Sequence, residues 1–347
     1  MESIKIGPID TIIFFGGGQF LLNCALESIR RGYKIYIFAA RRHLQEIIDY
    51  ESNKSMEDVL KSEDIQFFQA SDINTSKELK KIITKTTLGI GIGEIFTFNK
   101  EIIELFNNKI FDFMTIKLPQ YRGGAHFTWQ ILRHDKIGGW YVQVINEEMI
   151  PGRFDTGEIL MKMEYHLPKN SKIPRDYFKA AEDNGLILFK KFIEKISNNE
   201  EFILSKLKEE YSVYFPRLNT IKHGFIDWSW NSNEIYRFIC AFDDPYPGSS
   251  TFLGKKRVFL KKSSINSNDS DFHPFMAGLI YRIYDDVVYI ATRDKGIIIQ
   301  ECLDEEGNDI MDSLKIGQRF FTPRKYLEEA MIFNAEYDSD GLVTNGE

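Results

Sequence analysis

Cysteine is scarce in this sequence: Cys24, Cys240 and Cys302 are its only three among 347 residues. They are far apart and odd in number, so they offer neither a Cys-x-x-Cys metal pattern nor a disulfide framework, and they suit a reducing cytoplasm. Long apolar runs are missing as well. No stretch of 18 apolar residues occurs, and the opening "MESIKIGPID" has no basic segment followed by an apolar one. The expectation is therefore a cytoplasmic protein with no membrane span and no export signal. Positive charge is not in excess. The formal net charge is −7, and such a field repels nucleic acid, which argues against an RNA partner while leaving room for a local basic patch. The histidines do not converge: His43 and His223 sit beside basic residues, and His134, His166 and His273 show no ligand spacing, so no metal site is expected. No internal repeat is visible.

What is present is an ordinary globular composition, 43% hydrophobic and 27% charged. At roughly 100–200 residues per domain the length predicts two domains, with a core large enough to stand without metal or disulfide. The 28 Phe and 16 Tyr favour aromatic packing and a stacking surface for a planar ligand. The segment "DTIIFFGGGQFLLNCALESIRRGYKIYIFAARR" is strand, glycine turn, helix and strand. Ile12–Phe15 is short and rich in strand formers, as in a strand buried on both faces. Leu21, Leu22, Ala25 and Ile29 recur at helical spacing before Gly32 stops the helix. "IQFFQASDIN", a helix near Ser76–Ile83 and "LGIGIGEIF" continue the alternation. The predicted fold class is α/β, a doubly wound, mostly parallel sheet. Gly16–Gly18 open a helix and could receive phosphate, but the pattern is not G-x-G-x-x-G; a tight turn for close packing is the preferred reading, and no nucleotide site is assigned.

Further on, "TGEILMKMEYHLP" reads as a strand and Pro174–Ile196 as a helix, with Phe178, Ala181, Leu186, Leu188, Phe192 and Ile193 on its apolar side. "NSNEIYRFICAF" reads as a helix capped by Asn231 or Ser232. From about Met276, strands alternate with Asp-Asp and Asp-Lys-Gly turns, the mark of a small antiparallel sheet or barrel. The expected organisation is an α/β domain over 1–205, a linker and helical connection over 206–265, a small β-rich barrel-like domain over 266–335 and a tail over 336–347.

The stretch "FDFMTIKLPQYRGGAHFTWQIL" and, later, "DTGEIL" carry a family likeness. With "GFIDWSWNSNEIYRFICAFDDPYPGSSTFLGKK" and "KIGQRFFTP" they make the chain resemble the folate-dependent formyltransferases over nearly its whole length. That family includes methionyl-tRNA formyltransferase and the N-formyltransferases of nucleotide-linked amino sugars. Each fragment is weak by itself; their order and spacing carry the resemblance. The glycine-rich loop is closer to the sugar enzymes.

Formyl transfer needs a base for the amine proton and a donor facing the oxygen that turns negative in the tetrahedral intermediate. The resemblance implies an Asn-x-His pair and a distant Asp for these roles. Aligned on Leu118–Pro119, the positions hold Asp112, Met114 and Asp155. An ionised Asp112 only accepts hydrogen bonds, and a thioether supplies little beyond packing. Three readings stay open: a transferase with altered chemistry in which Asp112 and Asp155 lie close and one is driven to a high pKa, a degenerate fold serving ligand binding or regulation, and rescue of the reaction by His126. A methionyl-tRNA formyltransferase-like activity is a further alternative. The candidate catalytic residues are Asp112, Asp155 and His126. The candidate substrate-binding residues are Tyr121, Arg122, Gly123 and Gly124, with Arg122 either anchoring an anionic substrate group or stapling the loop to a carboxylate. The resemblance implies 10-formyltetrahydrofolate as donor, its pterin near Gly91, Gly93 and Glu94, and an amino-sugar acceptor; a homodimer is compatible with it.

Overall fold

The structure is a computed structural model that describes residues 2–49, 52–93, 96–146, 155–269, 271–337 and 342–343. Its first unit is a seven-stranded sheet built from β1 (Thr11–Gly16), β2 (Lys34–Ala39), β3 (Phe67–Gln69), β4 (Thr87–Ile92), β5 (Ile110–Met114), β6 (Ile137–Val144) and β7 (Ile159–His166). The spatial order is β7-β6-β5-β4-β1-β2-β3. The first five strands in the chain pair in parallel, and β6 and β7 join antiparallel at one side. The chain leaves β1 in one direction and returns to its other flank, which places a crevice at the carboxyl ends of β1 and β4. There the Gly17 amide donates to the Ile92 carbonyl at 3.2 Å.

β1 shows why the sheet is doubly wound. Ile12 and Phe14 point into one core, whereas Ile13 and Phe15 point into a second on the opposite face. The first core is closed by α1 (Gln19–Arg30) and a long helix over Pro174–Ser197; the second is closed by α2 (Lys77–Ile82) and α3 (Lys100–Leu105). Between these in sequence lies α4 (His126–Leu132), and the long helix is α5. Two positions expected on apolar stripes are partly open. Ile29 is 43% exposed, because the last turn of α1 buries Glu27 instead, ion-paired to Arg31 at 2.8 Å and to Lys190 of α5 at 3.9 Å. Phe178 keeps its outer edge exposed while its ring meets Phe127 edge-on at 4.9 Å.

The second unit is a six-stranded antiparallel sheet of β8 (Ser249–Leu253), β9 (Lys256–Asn266), β10 (Ile280–Tyr284), β11 (Val287–Ala291), β12 (Gly296–Leu303) and β13 (Phe320–Phe321), ordered β10-β11-β12-β9-β8-β13. The span expected as linker, 206–265, thus already contributes β8 and most of β9. The two-residue turn Gly254–Lys255, with Gly254 at φ +63°, folds them into a hairpin. Helices α6 (Ser232–Ala241, capped by Asn231) and α7 (Arg324–Ile332) flank this sheet. Among the described residues no helix is long and apolar enough to cross a membrane.

Candidate active site

Asp112 and Met114 alternate on β5, so their side chains share one face of the strand. β6 runs antiparallel beside it and sets Gln143 opposite Asp112 and Tyr141 opposite Met114. Gln143 is fully buried. Its Nε2 donates to Asp112 Oδ2 at 3.3 Å and to Met114 Sδ at 2.9 Å, while its Oε1 is buried with no partner. A thioether is a weak acceptor, so the N–H that faces Met114 stays available to a stronger one. Sequence reasoning missed Gln143. Its only signal was a polar side chain in the apolar strand "GWYVQVI", and only the strand register brings it to Asp112.

Asp155 follows with φ +59°, a left-handed conformation that Asp tolerates better than most residues. Gly157, two positions on, has no room for a side chain: a Cβ would collide with the Val144 carbonyl and stand 3.4 Å from Gln143 Oε1. This glycine therefore presses the Asp-Thr-Gly segment against the end of β6. Asp155 is 9% exposed. Burial pushes its carboxyl up to about 6, opposed by the Gly123 amide and by the positive charges of Arg122 and Arg217. The amide of Gly123 points at its Oδ2 from 3.5 Å. Repulsion from Asp112, the cause expected from the sequence, is not among these; desolvation alone raises the pKa.

The loop before α4 is braced from outside the domain. Arg122–Gly123 pairs in parallel with Tyr214–Phe215 of the linker, and Gly123, at φ +104°, could not carry a Cβ without striking the Phe215 carbonyl. The Gly124 amide donates to that same carbonyl at 3.0 Å. Arg122 reaches both oxygens of Glu209, at 2.5 and 2.7 Å, and Ser212 at 3.1 Å. Of the two roles open to it in the sequence, the staple to a neighbouring carboxylate is the one its side chain makes. Tyr121 turns inward. Its hydroxyl donates to Asp135 at 2.8 Å, its ring stacks on Phe215 at 5.0 Å, and burial together with Asp135 drives its pKa upward.

His126 opens α4 behind Ala125, whose φ is +53°. The residue retains some exposed surface, but its ring Nε2 is buried without a partner. Burial lowers its pKa to about 4, with Arg217 adding and a hydrogen bond to the Gly123 backbone opposing. It is neutral at pH 7. Desolvation is the largest cause of this shift.

On the donor side, Gly91 lies in β4 directly beside Asp112. Gly93 has φ +60°, and a Cβ added there would meet nothing nearer than the Gly17 carbonyl at 4.0 Å. The end of β4 thus exposes backbone that a flat heterocycle could approach. Glu94 lies outside the described residues, as does most of the loop before Asp155. A separate cavity of about 600 Å³ lies between α4, the linker, α6 and α7, walled by Trp129, Trp230 and Phe238. None of Asp112, Gln143 or Asp155 lines it.

Comparison with known proteins agrees with the fold. Residues 220–320 match the family described as formyl transferase, C-terminal domain. A methionyl-tRNA formyltransferase from Clostridium tetani is 25% identical over 248 residues, 70% of this chain and 75% of the relative. Two solved structures share the fold. One is WlaRD, a sugar 3N-formyl transferase determined in the presence of dTDP and 5-N-formyl-THF, with TM-score 0.62 and 18% identity over 88% of this chain and 99% of that one. The other is an N-formyltransferase from Helicobacter canadensis in complex with folinic acid and dTDP-3-aminofucose, with TM-score 0.62 and 20% identity over 84% of this chain and 98% of that one.

Proposed function

We propose that this chain, which belongs to the folate-dependent formyltransferase family, transfers a formyl group to the amino group of an amino sugar. The donor is a formyl-tetrahydrofolate, as in the solved relatives that hold such folates, and the acceptor is nucleotide-linked. The observation that carries the reading is a carboxyl, Asp155, poised at about 6 beside the amide of the Gly123 loop. Near neutral pH it is mostly ionised and able to take the amine proton as the new C–N bond forms. The bond from the formyl carbon to the folate nitrogen breaks, and the proton passes to that nitrogen, leaving tetrahydrofolate and the formamide.

The vacant roles at 112 and 114 have a replacement in this geometry. Gln143 supplies the N–H for the developing oxyanion, exchanging the weak Met114 sulfur for a negative oxygen. Asp112 accepts the other N–H and so orients that amide. His126, neutral and set behind Gly123, is left with positioning of the loop. Folate fits the end of β4 because Gly93 leaves its backbone open, with Gly91 placing that strand against Asp112.

The test is direct. The purified protein is incubated with 10-formyltetrahydrofolate and a set of nucleotide-linked amino sugars, and formamide is read by mass spectrometry. Binding of 5-formyltetrahydrofolate is followed by calorimetry. Formamide formation that disappears in Asp155→Asn supports the reading. Folate binding without transfer to any acceptor moves the protein to the non-catalytic class, and the absence of both removes folate chemistry.

A further inference from the structure

Arg122, the arginine of the glycine-rich loop before α4, is spoken for: Glu209 takes both of its terminal nitrogens and Ser212 adds a third contact. If the acceptor carries phosphate, the site requires another cation. The linker brings one. Two residues after Phe215 closes on Gly123, Arg217 lays its stem over Gly124, where a Cβ would collide with Arg217 Cγ. Glycine at 124 is what lets that arginine lie on the loop.

Arg217 is exposed, and among the described residues it makes no ion pair; its aromatic neighbour is Tyr337, whose ring centroid is 5.8 Å away. Tyr337 is itself tied to the linker, donating to the Leu218 carbonyl and accepting from Asn219, each at 3.3 Å. Arg217 nonetheless acts on the chemistry, since its charge lowers the pKa of both Asp155 and His126. Its charge reaches the carboxyl of Asp155 and the neutral ring of His126, while Arg122, which acts on the same carboxyl, is already neutralised by Glu209. Lying on the loop at Gly124, exposed and without an ion pair among the described residues, this guanidinium is open to a second anion.

We propose that Arg217 is the anion anchor of the acceptor: it binds the phosphate of a nucleotide-linked substrate and thereby sets the amino group toward Asp155. This rests on the formyl-transfer reading above and names the substrate feature that the same site selects. A guanidinium suits phosphate because its fork offers two parallel donors.

The experiment uses Arg217→Met, which keeps the stem over Gly124, and Arg217→Lys, which keeps the charge. Calorimetry with dTDP, UDP and GDP, set against thymidine, uridine and guanosine, reads the phosphate without any turnover. The wild-type chain is expected to favour a diphosphate over its nucleoside, and Arg217→Met to weaken that diphosphate about 10- to 100-fold, the worth of a charged hydrogen-bonded contact. Nucleoside binding stays unchanged, and Arg217→Lys recovers part of the loss. In the transfer assay, compared above the acid limb at pH 8, KM for a phosphate-bearing amino sugar rises by the same factor with kcat nearly constant and the phosphate-free sugar is unaffected, while the acid limb of the pH profile moves up for both. Equal effects on diphosphate and nucleoside, or a loss confined to kcat, overturn the assignment. So does a wild-type protein indifferent to diphosphates, even one that formylates a phosphate-free sugar, a result that leaves the transfer reading standing. Phosphate discrimination through Arg217 without any formyl transfer has the opposite meaning: the anchor holds and the activity fails.

Discussion

Replacing Asp155 by Asn should make the protein more stable at neutral pH while removing its activity. The carboxyl titrates at about 6 in the folded chain against an ordinary value of 3.8, a difference of 6 less 3.8. At about 1.36 kcal/mol per pKa unit, holding the ionised group in place costs the fold up to about 3 kcal/mol. The sign follows from proton binding. Between pH 4 and 6 the folded state holds the proton and the unfolded state has released it, so stability falls as pH rises through this window and stays low above it. Asparagine removes the charge at every pH, accepts the Gly123 amide through its Oδ1 and tolerates the left-handed backbone at φ +59°. Denaturant unfolding of both proteins at several pH values from 4 to 8 measures the gap. The variant should be more stable by about 1–3 kcal/mol near pH 7.5, with the difference closing toward pH 4, and transfer should drop about 10²- to 10⁴-fold with loss of the base. A gap that does not change with pH, or a variant less stable at pH 7.5, would refute the placement of a buried, strained carboxylate here.

Other consequences are as direct. Gln143→Leu removes the proposed oxyanion donor and should slow transfer by about 10²–10³ while 5-formyltetrahydrofolate still binds; a full rate in mass-spectrometric assays would strike Gln143 from the mechanism. Gly123→Ala sets a methyl group against the Phe215 carbonyl at a φ of +104°, so its melting temperature should fall by the equivalent of about 1–3 kcal/mol, and an unchanged melting curve would contradict the linker pairing. Glu209→Gln breaks the staple on Arg122, but Glu209 is 61% exposed, so stability should change by less than about 1 kcal/mol; a larger loss on denaturant titration would mean the linker is held by this pair. In wild type the acid limb of kcat/KM should fall near pH 6, the value of Asp155, and not near 4, the value of His126.

Much of the architecture was legible in single segments. The apolar run Ile12–Phe15, read as a strand covered on both sides, feeds two cores, and the helical spacing from Pro174 runs within one residue of the observed end at Ser197. Less was legible where partners are remote. Arg122 and Glu209 are 87 positions apart, and nothing near Arg122 says whether its partner is a substrate or a protein carboxylate. The hairpin from Ser249 was hidden inside a presumed linker, because a two-residue turn between short strands resembles any polar connector until the strands find their sheet.

From sequence by itself came the alternation of strands and helices, the positions of Asp112, Met114 and Asp155, and the departure from an Asn-x-His pair. The alternation depends on neighbours a few residues away, through periodicity and residue type, whereas the roles of positions 112, 114 and 155 are what the family resemblance implies. Tertiary structure alone decided that Gln143 faces Asp112, that Arg122 is stapled while Arg217 makes no ion pair among the described residues, and that Asp155 titrates near neutrality. Strand register, solvent exclusion and the distance between charges govern those outcomes, and all three arise only when segments far apart in the chain are packed together.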